Sequence, residues 1–214
     1  IRDIHAHRGS SHMEGRKMTA QLVDRFRIVR EDMHRYYGGS VDSDTIDGVV
    51  DHAIAEVSED ARIDTFIPVL VERQARESLE SMGTVRKEIL FASRHNSARA
   101  QLAYAFARHY AGENLFIRTV GIDGRDPVDP DVLVVLDEMG VSGDVLYEKN
   151  DTPRTVHFSD VVVLLGVDEY PNLPGVRYVE WNVADPAGKG LAAMRNAAHD
   201  IDLLVRHLLA ELAA

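Results

Sequence analysis

The stretch Ser93-Arg94-His95-Asn96-Ser97-Ala98-Arg99 sets a hydroxyl and a guanidinium six positions apart around a short polar loop. A compact apolar run, "EILFA", precedes it, and an alanine-rich, helix-forming stretch follows. Strand, loop and helix in that order make an oxyanion cradle. The loop N–H groups and the helix amino terminus converge on one point, and the helix dipole favours negative charge there. Arg99 adds a planar fork that can take two oxygens of a tetrahedral anion. Arg94, His95, Asn96, Ser97, Ala98 and Arg99 are therefore the expected oxyanion-binding set, with Arg99 one turn into the helix. Asn96 suits a left-handed backbone or a bracing role. A serine and an arginine at this spacing also occur in ordinary strand-to-helix turns, so the flanking elements carry the assignment.

The hydroxyl raises a difficulty. Serine is a weak nucleophile without an adjacent base. His95 lies two residues away, but no third group is visible to orient it, which favours a bracing role. The chain contains no cysteine, which excludes a thiolate nucleophile, a disulfide framework and thiolate metal ligation. The histidines at 34, 52, 109 and 199 show no metal-ligand spacing, so no metal is assigned. Asp42, Asp44, Asp47 and Asp51 read as an acidic, solvated helix face.

The elements that must position this loop are legible as periodic patterns. "EILFAS", "NLFIRTV", "DVVVLLGV" and "GVRYVEWNV" are short, β-rich and nearly continuous in apolar character, as expected of parallel strands covered on both faces. Helical segments separate or follow them at Ala98–Ala111, Pro130–Gly140 and from Leu191 onward. Alternating strand and helix predict an α/β fold with a parallel sheet, in which ligands bind beyond the carboxyl ends of the strands. Ser93 falls at such an end. Upstream, residues 19–83 read as three helices. The first carries Leu22, Phe26, Val29 and Met33 and stops at Gly38-Gly39. The second starts near Asp44 and carries Ile46, Val49, Val50, Ala53, Ile54 and Val57. The third starts near Asp64 or Thr65, with Pro68 in its first turn, and runs to about Met82 with Gly83 as its C′ stop. Short links suggest a small antiparallel bundle. Residues 1–17, with "GSSHM", read as an expression-tag remnant. The expected organisation is thus 1–17 tag, 18–84 three-helix domain and 85–214 α/β domain.

The bulk numbers agree with a globular, water-facing protein: 45% apolar and 28% charged residues. The formal net charge of -11 argues against general binding to nucleic acid or anionic membranes, so a bound anion must be held by local dipoles and a placed cation. No apolar run approaches the roughly 18 residues of a membrane span. A cytoplasmic location is the default expectation.

With these residues in place, the chain resembles the low-molecular-weight tyrosine phosphatases, and within that fold the thioredoxin- or mycothiol-linked arsenate reductases. Their loop reads Cys-x-His-Asn-x-x-Arg-Ser, and this chain keeps His95, Asn96 and Arg99. "VGIDGRDPVDPDVLVVLDEMGV" is similar to the family's Gly-x-x-x-Gly-x-x-Val-Asn-Pro segment, with Asp129 in place of Asn. "SDVVVLLG" and "PGVRYVEWNVADPAGKG" resemble its later strand and its acid loop. The resemblance covers about residues 86–212. It implies a low-molecular-weight phosphatase-like sheet flanked by helices, behind a three-helix bundle, and arsenate reduction serving arsenic detoxification. A thiolate at position 93 attacks arsenate, Asp185 protonates the departing oxygen, and an external thiol reductant, thioredoxin or mycothiol with mycoredoxin, completes the reduction. No bound cofactor is implied. Asp-Pro alone is a common turn dipeptide; its order after the loop makes Asp185 the implied acid. The phosphatases carry Tyr after Asp-Pro, whereas "DPAGKG" and "HNSAR" favour the reductases.

Two departures matter: Ser93 fills the cysteine position, and Ala100 replaces the usual hydroxyl residue after the arginine. Downstream cysteines of the thioredoxin-linked members are absent between Gly166 and Gly175. The chain is therefore expected to bind arsenate, phosphate or sulfate without turning it over. It is either an introduced Cys→Ser form or a natural member without the nucleophile. The alternatives are a low-molecular-weight protein tyrosine phosphatase and a non-catalytic oxyanion- or partner-binding protein. A helical module beside the anion site is also a candidate surface for a homodimer.

Overall fold

A computed structural model describes residues 20–60, 67–123, 126–146, 159–167 and 173–213. The expected tag, the start of the third helix and part of the 166–175 segment lie outside the described residues. Three helices come first: α1 (Ala20–Tyr37), α2 (Ser43–Asp60) and α3 (Ile67–Glu80). Then come β1 (Glu88–Ser93), α4 (Arg99–Ala111), β2 (Phe116–Gly121), α5 (Pro130–Glu138), β3 (Ser159–Leu165), β4 (Gly175–Trp181) and α6 (Leu191–Ala213). The four strands form one parallel sheet in the order β2-β1-β3-β4. This is the phosphatase-like α/β architecture behind a helical region that the sequence predicts.

Register fixes where a site can form. Ser93 pairs with Gly121 on one side and Leu165 on the other, and Leu165 pairs with Trp181. The carboxyl ends of all four strands are therefore level. β1 is central and buried along its whole length, including Glu88 and Ser93. Its odd positions, Ile89 and Phe91, join Val161, Val163 and Leu165 in a core with Leu102, Phe106, Leu136 and Ile201 from the helices. Its even positions, Leu90 and Ala92, meet Val162 and Leu164 on the other face. Alanines at 100, 103, 105 and 107 of α4 are all fully buried, which lets the helix lie close to the sheet. Fully burying a side chain such as Phe91 contributes about 1.5–3 kcal/mol.

The helices α1–α3 have a core of their own, centred on Met33, Tyr37, Ile46, Val50, Ile67, Val71 and Leu79. Asp42 caps α2 through Thr45, accepting from its backbone N–H (2.9 Å) and its hydroxyl (2.7 Å). Asp47 and Asp51 pair with Arg30 on α1, so the predicted acidic face is largely committed to clasping two helices. Gly83 stops α3 as expected, its N–H donating to the Leu79 carbonyl at 3.0 Å. It is not among the residues with positive φ; a Cβ there would overlap Ser40 and Val41, so close approach requires the glycine, not handedness.

This bundle attaches at the amino end of the sheet, not beside the Ser93 loop. The backbone N–H of Arg86 donates to the Tyr36 carbonyl (2.8 Å), and its guanidinium donates to the carbonyls of His34 (2.9 Å) and Arg35 at the end of α1. The same guanidinium reaches Glu113 at 3.2 Å and lies over the Phe116 ring; burial pushes its pKa down. Glu88, the first residue of β1, accepts from Arg118 (2.8 Å) and Ser159 (2.9 Å) and lies 3.5 Å from buried Arg35.

Candidate functional site

The Ser93 loop is shaped by a second segment lying along it. The chain leaving β2 donates four backbone bonds to it: Ile122 to the Ser93 carbonyl, Asp123 to Arg94, Asp126 to His95 and Asp129 to Ser97, at 2.9–3.0 Å. Among the described residues no peptide bond is cis, so each carbonyl and the following N–H point opposite ways. With the carbonyls of 93, 94, 95 and 97 turned toward residues 122–129, the N–H groups of Arg94, His95, Asn96 and Ala98 face the other side. Ser93 Oγ lies on that side and accepts the Asn96 N–H at 3.2 Å. Arg99 opens α4, whose amino end has no side-chain cap. The arginine is thus the first helical residue and not a turn further in, as the spacing suggested.

Asn96 takes the left-handed conformation, with φ of 55°, and also braces the loop. Its Nδ2 donates to Thr119 Oγ1 on β2 at 3.1 Å, and its Oδ1 accepts from Gln101 Nε2 at 3.0 Å. Gln101, fully buried, also donates to the Asn96 carbonyl at 2.6 Å. Two groups from neighbouring elements therefore hold the one strained residue. Arg94 and His95 contribute backbone to the cradle and send their side chains outward. Arg94 pairs with Asp123 at 2.7 Å, and His95 Nδ1 lies 3.6 Å from Asp126. Ser97 and Ala98 close the loop, with Ala98 buried and its carbonyl accepting the Leu102 N–H at 2.9 Å.

Arg99 and Asp185 meet. The Arg99 side chain is 7% exposed; its Nη1 donates to the Val183 carbonyl (3.1 Å) and its Nη2 to Asp185 Oδ2 (2.9 Å). Asp185 Oδ1 accepts the Ala187 N–H at 3.2 Å. To reach these acceptors the guanidinium passes the end of β3 at Gly166, where φ is +60° and a Cβ would overlap Nη1. Asp129 ties the site together. Its N–H bonds Ser97, its Oδ1 caps α5 through Asp131 N (2.9 Å), and its Oδ2 accepts the Gly188 N–H (3.2 Å) beyond Asp185. Sequence reasoning missed Gln101, Thr119, Gly166 and the Val183 carbonyl. For Gly166 a signal was present: a glycine directly closing the apolar run "VVVLLG" at a strand's carboxyl end. Among the described residues, no group of three His, Asp or Glu side chains is arranged to hold a metal ion.

Comparison with known proteins agrees with this architecture. Residues 88–214 match the sequence profile of the low molecular weight phosphotyrosine protein phosphatases. An arsenate reductase of Bacillus cereus (strain AH187) is 28% identical over 122 residues, covering 54% of this chain and 89% of the relative. A glutaredoxin arsenate reductase of Synechocystis sp. is 23% identical over 132 residues, 59% of this chain and 98% of the relative. The solved structure of a thioredoxin-dependent arsenate reductase of Corynebacterium glutamicum aligns over 89% of this chain and 97% of its own, at 24% identity and a TM-score of 0.46. With more than half of its length matching that profile, the chain belongs to the low molecular weight phosphotyrosine protein phosphatase family.

Proposed function

We propose that the Ser93 loop is a site for arsenate reduction by a nucleophile at position 93, and that with serine there the chain binds the oxyanion without reducing it. The observation carrying this reading is the set of loop carbonyls engaged by residues 122–129, which turns the loop N–H groups toward Ser93 Oγ. An anion gains there from several backbone donors, the amino end of α4 and the Arg99 charge. The same donors would depress the pKa of a thiol at position 93. In the cysteine form, the thiolate attacks arsenic; the Asp185 carboxylate takes a proton from the hydroxylated arsenate and returns it to the departing oxygen, which leaves as water. An external thiol then attacks the sulfur; two electrons pass to arsenic, arsenite departs and a disulfide remains. Serine supplies no sulfur for that second step. The proposed reductant is thioredoxin or mycothiol with mycoredoxin, and no bound cofactor takes part.

Ala187 follows Pro186 where the phosphatases carry Tyr, so an aryl phosphate lacks that stacking partner. This favours the reductase over the phosphatase reading, and the names of the relatives support the same choice. We propose the same division of the chain into a helical domain at 18–84 and the site-bearing domain at 85–214. The test restores the nucleophile. Ser93→Cys is assayed for arsenite with thioredoxin, then with mycothiol and mycoredoxin, and separately for phosphate release from an aryl phosphate. Arsenite formation in either reductase assay is expected. No arsenite in both, with rapid phosphate release, would replace this reading with the phosphatase.

A further inference from the structure

Asp185 is bonded to the same guanidinium that the bound anion must use. Its Oδ2 accepts from Arg99 Nη2 at 2.9 Å and its Oδ1 accepts the Ala187 N–H at 3.2 Å, so the carboxylate is fixed from both sides. Among the described residues, the other carboxylates around the site are committed elsewhere. Asp123 pairs with Arg94 at 2.7 Å, Asp126 lies 3.6 Å from His95, and Asp129 holds the N–H groups of Asp131 and Gly188. A tetrahedral anion entering the cradle therefore meets the Asp185 carboxylate across Arg99.

A carboxylate oxygen has two acceptor positions, and each oxygen of Asp185 spends one of them on the bonds above. What remains can only accept. A hydroxyl on the incoming anion turns that neighbour into a hydrogen-bond partner; an anion without a proton sets oxygen against oxygen. Phosphate and arsenate carry at least one proton near neutrality. Sulfate and selenate, matched to them in shape, carry none. Specificity of this kind comes as much from the repulsion of the wrong ligand as from the attraction of the right one.

We propose that Asp185 is a specificity-determining residue that makes the cradle select protonated tetrahedral oxyanions, phosphate and arsenate, over sulfate and selenate. This rests on the oxyanion-binding part of the proposed function and is independent of any turnover. Because Asp185 is about 40% exposed, water weakens the repulsion, and the expected selectivity is about tenfold, not the far larger factors of a fully enclosed acceptor.

The test is isothermal titration of the full chain with phosphate, arsenate, sulfate and selenate at near-neutral pH and constant ionic strength. It is repeated on Asp185→Asn and Arg99→Ala. Wild type is expected to bind phosphate and arsenate about tenfold more tightly than their proton-free counterparts. Asp185→Asn, whose amide can donate, is expected to tighten sulfate and remove most of that preference; Arg99→Ala is expected to bind none of the four. Equal affinities in wild type overturn the proposal while leaving the cradle standing, and this measurement depends on no variant folding. An unchanged preference in folded Asp185→Asn also overturns it. Failure of all four anions to bind wild type removes the cradle itself.

Discussion

Arg99 is buried with its charge, and the Val183 carbonyl and Asp185 that accept from it lie on a segment more than eighty positions away. Truncating it to alanine leaves the Val183 carbonyl and Asp185 short of a donor, a loss of about 1–3 kcal/mol that a folded domain tolerates. Arg99→Ala is expected to retain its circular dichroism spectrum and lose phosphate binding; calorimetry showing unchanged affinity would contradict the assigned role. Gly166→Ala addresses the same clamp from outside. The new methyl group faces both a left-handed backbone and the guanidinium. Phosphate affinity should fall by about tenfold, with a stability loss of about 1–3 kcal/mol by urea titration. At this scale the sequence showed the loop and Asn96 clearly, because residue type and spacing are local. It did not show Thr119 or the Val183 carbonyl, because the sheet brings those partners to the site, nor Gln101, which reaches back from the first turn of α4 to Asn96.

The loop, α5 and the 185–190 turn are joined through Asp129, and its two side-chain bonds can be separated. Asp129→Ala removes the cap of α5, worth about 1 kcal/mol, together with the tie to Gly188. Asp129→Asn keeps one acceptor oxygen for the cap and loses the second. Amide exchange should accelerate at Gly188 in both variants and at Asp131 only in the alanine variant. Between α1 and α2, hydrogen bonds from Arg30, then from His34, hold the Asp47 carboxyl below its ordinary 3.8. A carboxyl lowered in the folded state adds stability above its unfolded pKa and loses it as pH falls through the folded value. The urea midpoint of Asp47→Asn should therefore lie below wild type at neutral pH and converge with it below pH 3.8. Helix and strand identities were legible from apolar periodicity. The four-bond run of residues 122–129 along the Ser93 loop was not, since backbone pairing outside regular strands leaves no side-chain pattern.

The helical bundle joins the amino end of the sheet through polar contacts, where Arg86 satisfies carbonyls at the end of α1 and Glu88 collects Arg118, Ser159 and Arg35. A sequence can show two apolar groupings without showing which ends touch, and the expected position of the helices beside the anion loop is corrected accordingly. Arg86→Ala should weaken this junction by about 1–3 kcal/mol, because the α1 carbonyls lose their donor. The expected result is one urea transition in wild type and two in the variant, followed by far-ultraviolet circular dichroism. At the opposite end, β4 finishes in Trp181, the chain's single tryptophan. The indole is 5% exposed, packs on Phe91 with ring centroids 5.7 Å apart, and stands two residues before the carbonyl that Arg99 grips. The molecule thus carries its own optical probe. Its emission should be blue-shifted in the folded chain and respond to whatever moves Arg99, so that occupancy of the cradle can be followed by fluorescence without any label.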